Sequence, residues 1–413
     1  MTARAGAKTD ILTNGPAAVR GDGGWLARLW TGSTARLVER IDAGLATGTL
    51  HATLPDGSKR TLGGRAAGFE ATVTLHSWRG LLRVASAGSI GLYQAWELGE
   101  WSSPEPVKLF ALFVANADAL GGLARAHGPW RWAALMAHWL HRNTRQGSQR
   151  NIHAHYDLGN EFYSEWLDPE MVYSSARFAA PEQDLAAAQQ HKLSTIAERL
   201  QGAKNVLEIG CGWGALAQRL YDDGMQVTAI SLSEAQLDWA RQRRSPAIEF
   251  RKQDYRDVTG QFDAIASVEM VEAVGREYWP HFFACLARCL KPGGRAAIQY
   301  IAIREELFPA YARSADFIQA YIFPGGMLVS ETEFRRLADE YGLKWRDQSD
   351  FALDYAETLQ IWRANFDQAI AEGRLPQGFD ARFQRLWRFY LMYCEGGFRG
   401  GGITVAQVTL VKA

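Results

Sequence analysis

The spacing of apolar positions changes several times along the chain, and the changes divide it. From Trp25 to Ile41, the residues Leu26, Leu29, Trp30, Leu37, Val38 and Ile41 recur at helical intervals and predict an amphipathic helix. A different pattern opens at His51, where Asp56-Gly57 is a turn signal between candidate strands. Ala71 to Leu75 and Gly80 to Ala85 read as further strands of a small α+β unit, closed by the apolar, helical stretch from Val107 to Leu120. Trp130 to Leu140 reads as an aromatic-rich helix suited to a core, to a domain contact or to lipid.

Beyond residue 151 the pattern alternates. Asn205 to Ile209, Val227 to Ser233, Phe250 to Tyr255, Phe262 to Val268 and Arg295 to Ile303 read as short apolar strands, and helix-period segments such as Ala215 to Tyr221 separate them. That alternation predicts an α/β doubly wound sheet, mostly parallel, with Ile403 to Val411 as a last, antiparallel strand. The aromatic density from Phe308 to Trp362 and from Phe379 to Phe398 predicts a helical lid or tunnel over that sheet. The expected organisation is a disordered tail over residues 1–22, an amino-terminal lipid-interacting domain over 23–142, a polar linker over 143–150 and a larger domain over 151–413.

Composition narrows the partners. With 47% hydrophobic residues, the 413-residue chain can bury more than one core, and its zero formal charge gives no electrostatic footprint for nucleic acid or an anionic surface. A lipid partner would therefore be held by apolar contact. The four cysteines have neither a disulfide framework nor metal spacing, so no metal site is expected. Met1 to Asp10 lacks the apolar core of a signal peptide, and no apolar run of about 18 residues appears. The expectation is a cytoplasmic protein.

The candidate chemistry centres on Val206-Leu-Glu-Ile-Gly-Cys-Gly-Trp-Gly214. Glycines at a strand-to-helix turn let a ligand approach the backbone, and the helix start offers N–H groups to it. The Glu-x-Gly-x-Gly-x-Gly spacing resembles motif I of class I S-adenosylmethionine-dependent methyltransferases. Further motifs are His155-Tyr-Asp-Leu-Gly-Asn-Glu-Phe-Tyr163, Leu167-Asp-Pro-Glu-Met-Val-Tyr-Ser-Ser175, Ile230-Ser-Leu-Ser-Glu-Ala-Gln236, Asp254-Tyr-Arg-Asp257, Met270-Val-Glu-Ala-Val-Gly275 and Asp354-Tyr-Ala-Glu-Thr-Leu359. Together these resemble the cyclopropane-fatty-acid synthase family, which includes the mycolic acid methyltransferases.

The resemblance implies a class I methyltransferase fold and transfer of a one-carbon unit from S-adenosylmethionine to the double bond of an unsaturated acyl chain in a phospholipid. Contact with the inner face of the membrane goes with it, and a homodimer is allowed. It further implies bicarbonate as the base, held by a carboxylate, a histidine, a tyrosine and a backbone N–H beside a cysteine. Carried over position by position, the carboxylate is Glu272 and the tyrosine Tyr355. The chain departs from the pattern at Ala273 and Gln299, each in place of a histidine, and at Ser175 in place of the cysteine. Gln299 can donate to an anion but takes no proton.

The implied cofactor residues are Tyr156, Tyr173, Ser174, Glu208, Gly210, Gly212, Gly214, Ser231, Leu232, Gln236, Asp254, Tyr255 and Ser267. Trp213 could face the sulfonium or pack below it. The departures leave other outcomes open: a methyl-branched or further unsaturated acyl chain without ring closure, as in furan fatty acid synthesis, or a lipid-binding relative without turnover. A small-molecule methyltransferase is disfavoured by the aromatic carboxyl-terminal half.

Overall fold

The structure, a computed structural model, describes residues 31–121 and 158–413. Tyr156, the tail over 1–22, the helix expected from Trp130 to Leu140 and the linker over 143–150 lie outside the described residues. In the amino-terminal unit, α1 (Thr31–Gly44) leads into β1 (Thr49–Thr53), β2 (Lys59–Gly63) and β3 (Glu70–Leu75). Then come α2 (Trp78–Glu97), β4 (Trp101–Ser102) and α3 (Pro106–Ala115). The four strands form one sheet in the order β2-β1-β3-β4, with β1 and β3 parallel.

The stretch from Gly80 to Ala85 is not a strand. It belongs to α2, whose amino end is capped by Ser77 accepting from the Arg79 N–H. A short apolar run satisfies either period, and here the cap and the small residues that follow decide for helix.

The larger unit is built from α4 (Leu185–Arg199), β5 (Asn205–Ile209), α5 (Ala215–Asp222), β6 (Gln226–Ser231), α6 (Glu234–Arg243), β7 (Glu249–Lys252) and β8 (Phe262–Val268). It continues with α7 (Trp279–Cys289), β9 (Leu290–Ile303), α8 (Glu331–Glu340), β10 (Leu343–Asp350), α9 (Ala352–Ala371), α10 (Ala381–Arg399) and β11 (Ile403–Lys412). Its seven-stranded sheet runs β10-β11-β9-β8-β5-β6-β7. From β9 to β7 the neighbours are parallel, while β11 is antiparallel to both β9 and β10. The strand order reverses at β5, which pairs with β6 on one side and β8 on the other, so a crevice opens at their carboxyl ends.

The amino-terminal unit has its own sheet but not its own core. Leu50, Leu62 and Val73 belong to the same apolar cluster as Phe162, Trp362, Trp387 and Phe389 of the larger unit. Phe110 on α3 lies edge-on to Phe389 and Tyr393 of α10, with ring centroids 5.3 and 5.9 Å away. Much of the carboxyl-terminal aromatic density is such packing: Trp362 and Trp387 are fully buried against Trp166. Among the described residues no helix is long and apolar enough to cross a membrane.

Candidate active site

A cavity of about 160 Å³ occupies the crevice at the carboxyl ends of β5 and β6. Glu208, Gly210 and Gly212 line it from β5 and the turn, Ser231 and Leu232 from β6, and Gln236 from the first turn of α6. Asp254 and Tyr255 close one side, Tyr173 and Ser174 another. Asp254 accepts from the Arg256 backbone N–H and pairs with its guanidinium at 2.6 Å. At Gly212, φ is +52° and the position a Cβ would take is empty, so a ligand can lie against the bare backbone.

Two expected cofactor residues do other work. Gly214 is absent from the cavity wall; a Cβ there would strike the Phe250 ring at 2.9 Å, so this glycine serves the packing of α5. Ser267 is buried and donates its hydroxyl to the Ile209 carbonyl, tying β8 to β5. Trp213 lines the cavity and is fixed there, its indole N–H donating to Asn160 at 2.9 Å.

The residues fit S-adenosylmethionine. Glu208 is buried with Oε2 lacking a hydrogen-bond partner, and the buried Tyr255 hydroxyl likewise has none, so two polar atoms on the wall await a polar ligand. Burial pushes the Glu208 carboxyl up to about 8, against the pull of Lys192 and Arg244. A ligand ammonium would lower it again. Lys192 on α4 is itself buried, donates to the Ser174 hydroxyl at 2.7 Å, and is pushed down to about 8 by burial, opposed by Glu269, Asp168 and Glu208.

A second cavity, of about 470 Å³, is mostly apolar. Tyr173, Glu269 and Ala273 line both cavities and mark where they meet. At this junction the Ser175 N–H, Gln299 and Tyr355, expected to hold bicarbonate together with Glu272, all donate to Glu269. The Ser175 N–H and the Gln299 amide reach Oε1 at 2.9 and 2.8 Å, and the Tyr355 hydroxyl reaches Oε2 at 2.8 Å. Donors on every side suit the ionised carboxylate. Burial raises the Glu269 carboxyl, and those hydrogen bonds together with the Lys192 charge oppose the rise.

The Gln299 amide is oriented from behind. Its Oε1 accepts from Gln407 at 3.0 Å, and Gln407 is its cross-strand partner on β11. Gln407 in turn accepts from Thr195 at 3.0 Å and Arg177 at 3.3 Å. Glu272 stands apart: Oε1 accepts from the Ile301 N–H, while Oε2 is buried without a partner. Burial first and the Glu269 charge second push it up to about 8, so it is mostly protonated at neutral pH.

Sequence reasoning missed Glu269, Lys192 and Gln407. The available signal was an acidic residue directly after β8, at the strand end where this fold places its ligands. Glu269 also holds φ at +47°, a left-handed conformation that costs an ordinary residue about 1 kcal/mol or more.

Comparison with known proteins agrees with this fold. The family model described as Mycolic acid cyclopropane synthetase matches residues 143–408, more than half of the chain. A tuberculostearic acid methyltransferase of Mycobacterium tuberculosis is 37% identical over 356 residues, covering 80% of both chains. A cyclopropane-fatty-acyl-phospholipid synthase of Escherichia coli is 36% identical over 336 residues, covering 80% of this chain and 85% of its own. Among solved structures, a mycolic acid cyclopropane synthase complexed with SAH and CTAB superposes with a TM-score of 0.60 at 27% identity, covering 64% of this chain and 98% of that one. The chain belongs to the mycolic acid cyclopropane synthetase family and is an S-adenosylmethionine-dependent C-methyltransferase.

Proposed function

We propose that the enzyme methylates the double bond of an unsaturated fatty acyl chain, with Glu269 as the base and a methyl-branched alkene as the product. The reading rests on one observation above the rest. The donors that the family resemblance assigns to a bicarbonate ion, the Ser175 N–H, the Tyr355 hydroxyl and the group at position 299, here surround a side-chain carboxylate at the junction of the polar and apolar cavities.

Bound S-adenosylmethionine supplies an electrophilic methyl group. The alkene π electrons would take up that methyl as its bond to sulfur breaks, the bond pair leaving with sulfur, so that the chain would carry the cation. Glu208, Gly210, Gly212 and Gln236 would hold the cofactor, and Tyr173 and Ser174 would cover it. The apolar cavity positions the chain and keeps water from the cation. Glu269 takes a proton from a carbon beside the cationic centre, and that C–H pair becomes the new double bond. Tyr355, Gln299 and the Ser175 N–H keep Glu269 in place and ionised. A positioned base of this kind contributes about 10²- to 10⁴-fold in rate. The likeness to a methyltransferase named for a fatty acid supports the acyl substrate and methyl transfer. A resident base disfavours a binding protein without turnover.

The test is incubation with isotopically labelled cofactor and vesicles of mixed unsaturated phospholipids, followed by mass analysis of the released acyl chains. A gain of one methylene with the double bond retained is expected. A cyclopropane as sole product overturns the branched outcome, and unmodified chains overturn the acyl substrate.

A further inference from the structure

The larger cavity does not stop at the methyltransferase unit. From the junction at Glu269 it extends past residues of α9 and α10 into the amino-terminal unit, where Leu50 and Ala52 of β1, Leu62 of β2 and Val73 of β3 form part of its wall. These are the buried, inward-facing positions of strands whose alternate residues face out. On α2 the helix breaks at Gly88 (φ 58°, ψ −133°), and Val84, Ala87, Gly88 and Ser89 border the same space. Small side chains at a kink leave open a volume that a straight helix of larger residues would fill.

The charges on the wall are placed unevenly. Glu269 and Glu272 stand at the junction, and Asp316 is engaged in capping a short helix, accepting from the Gln319 N–H at 2.9 Å. Among the described residues no lysine, arginine or histidine lines the cavity, so a carboxylate or phosphate headgroup would find no counter-charge there. The end of an acyl chain that fits such a wall is its methyl end.

We propose that the amino-terminal unit is the floor of the acyl site: it receives the methyl end and sets how many carbons lie beyond the double bond that reaches Glu269. This rests on the acyl-chain reading above and goes beyond it by assigning specificity to residues of a different sheet.

The test uses the full chain, its Ala52→Phe and Leu62→Ala variants, and vesicles carrying palmitoleoyl, cis-vaccenoyl or oleoyl phosphatidylglycerol. Palmitoleoyl and cis-vaccenoyl chains share the segment beyond the double bond; oleoyl shares the carboxyl side of palmitoleoyl but is two methylenes longer beyond the double bond. Ala52→Phe shortens the floor and is expected to lower kcat/KM for oleoyl relative to palmitoleoyl by about tenfold, the equivalent of failing to bury two methylenes. The cis-vaccenoyl to palmitoleoyl ratio stays as in the wild type. Leu62→Ala shifts the ratio toward oleoyl, and this second variant decides the matter if Ala52→Phe does not fold, as judged by calorimetric cofactor affinity. A loss falling on cis-vaccenoyl, or equally on all three chains, overturns the proposal while leaving the acyl-chain reading intact. A wild-type enzyme that modifies none of the three removes both.

Discussion

Replacing Glu269 with glycine separates the proposed base from the backbone that carries it. The substitution removes the carboxylate, and glycine accepts the left-handed φ of +47° at no steric cost, so about 1 kcal/mol of backbone strain is relieved. Against that, the Ser175 N–H, the Gln299 amide and the Tyr355 hydroxyl lose their acceptor. Each buried donor left without a partner costs about 1–3 kcal/mol unless water or an anion replaces the carboxylate. The variant should therefore fold, with stability lowered by a few kcal/mol, and bind the cofactor near wild-type affinity.

Its turnover on unsaturated phospholipid should fall by about 10²- to 10⁴-fold, or roughly 3–5 kcal/mol of barrier. The vacated space is ringed by three donors and borders the cofactor cavity, which is a site for a small carboxylate-like anion. Tens of millimolar bicarbonate or formate should restore part of the rate and raise the melting temperature, because an anion that binds only the folded state stabilises it. The assay is methyl incorporation in degassed buffer with and without added anion, alongside Glu269→Gln, which keeps the bulk without the charge and should not be rescued. Wild-type turnover by Glu269→Gly in bicarbonate-free buffer would refute the assignment of Glu269 as base.

Three further outcomes follow from the same geometry. Gly212→Val places a branched side chain at φ +52° in the open space of the cofactor cavity and should weaken cofactor binding at least about hundredfold by calorimetry; unchanged affinity would remove the cofactor assignment. Gln407→Leu frees the Gln299 amide to turn its oxygen toward Glu269, so the pH below which turnover falls should move upward and the rate should drop about tenfold; an unchanged pH profile would show that Gln299 needs no support. Glu272→Gln addresses a carboxyl raised by burial from 4.5 to about 8: the folded state holds this proton more tightly, so its contribution is full below the unfolded value and is lost as pH rises through about 8. The variant should therefore lose less stability than the wild type between about pH 5 and pH 8 in urea melts, with a gain on the order of 3 kcal/mol near neutrality; equal slopes would show that Glu272 is ionised in the folded protein.

The parts of the fold that read well from sequence are those whose surroundings are uniform. β5 and β8 are buried along most of their length, so their runs are mostly apolar and their bounds come out as the pattern predicts. β10 is an edge strand with mostly exposed or half-exposed positions, and Leu-Lys-Trp-Arg-Asp-Gln-Ser-Asp carries no alternation strong enough to announce it. In the site, the glycine turn is legible because its chemistry is local. Glu269 is not, since the groups that define it are 94, 30 and 86 residues away in sequence, at Ser175, Gln299 and Tyr355. The family pattern drew attention instead to Glu272, whose carboxyl the fold turns to the Ile301 N–H.

The departures from the family pattern then become one change rather than several losses. A diffusible anion needs a site that captures it, and a histidine that can become cationic does so better than an amide. A carboxylate attached to the chain needs no capture; it needs fixed donors that never compete for its proton, which a glutamine held by Gln407 supplies. Lys192, buried nearby, supplies charge balance without depending on an exchangeable ion. Wild-type turnover should accordingly be the same in buffer stripped of bicarbonate and in buffer saturated with it, within assay error. The acid limb of its pH profile should report one carboxyl with a pKa above the ordinary glutamate value, as burial of Glu269 dictates. A rate that rises saturably with bicarbonate in the wild-type enzyme would mean that a captured ion, not Glu269, takes the proton.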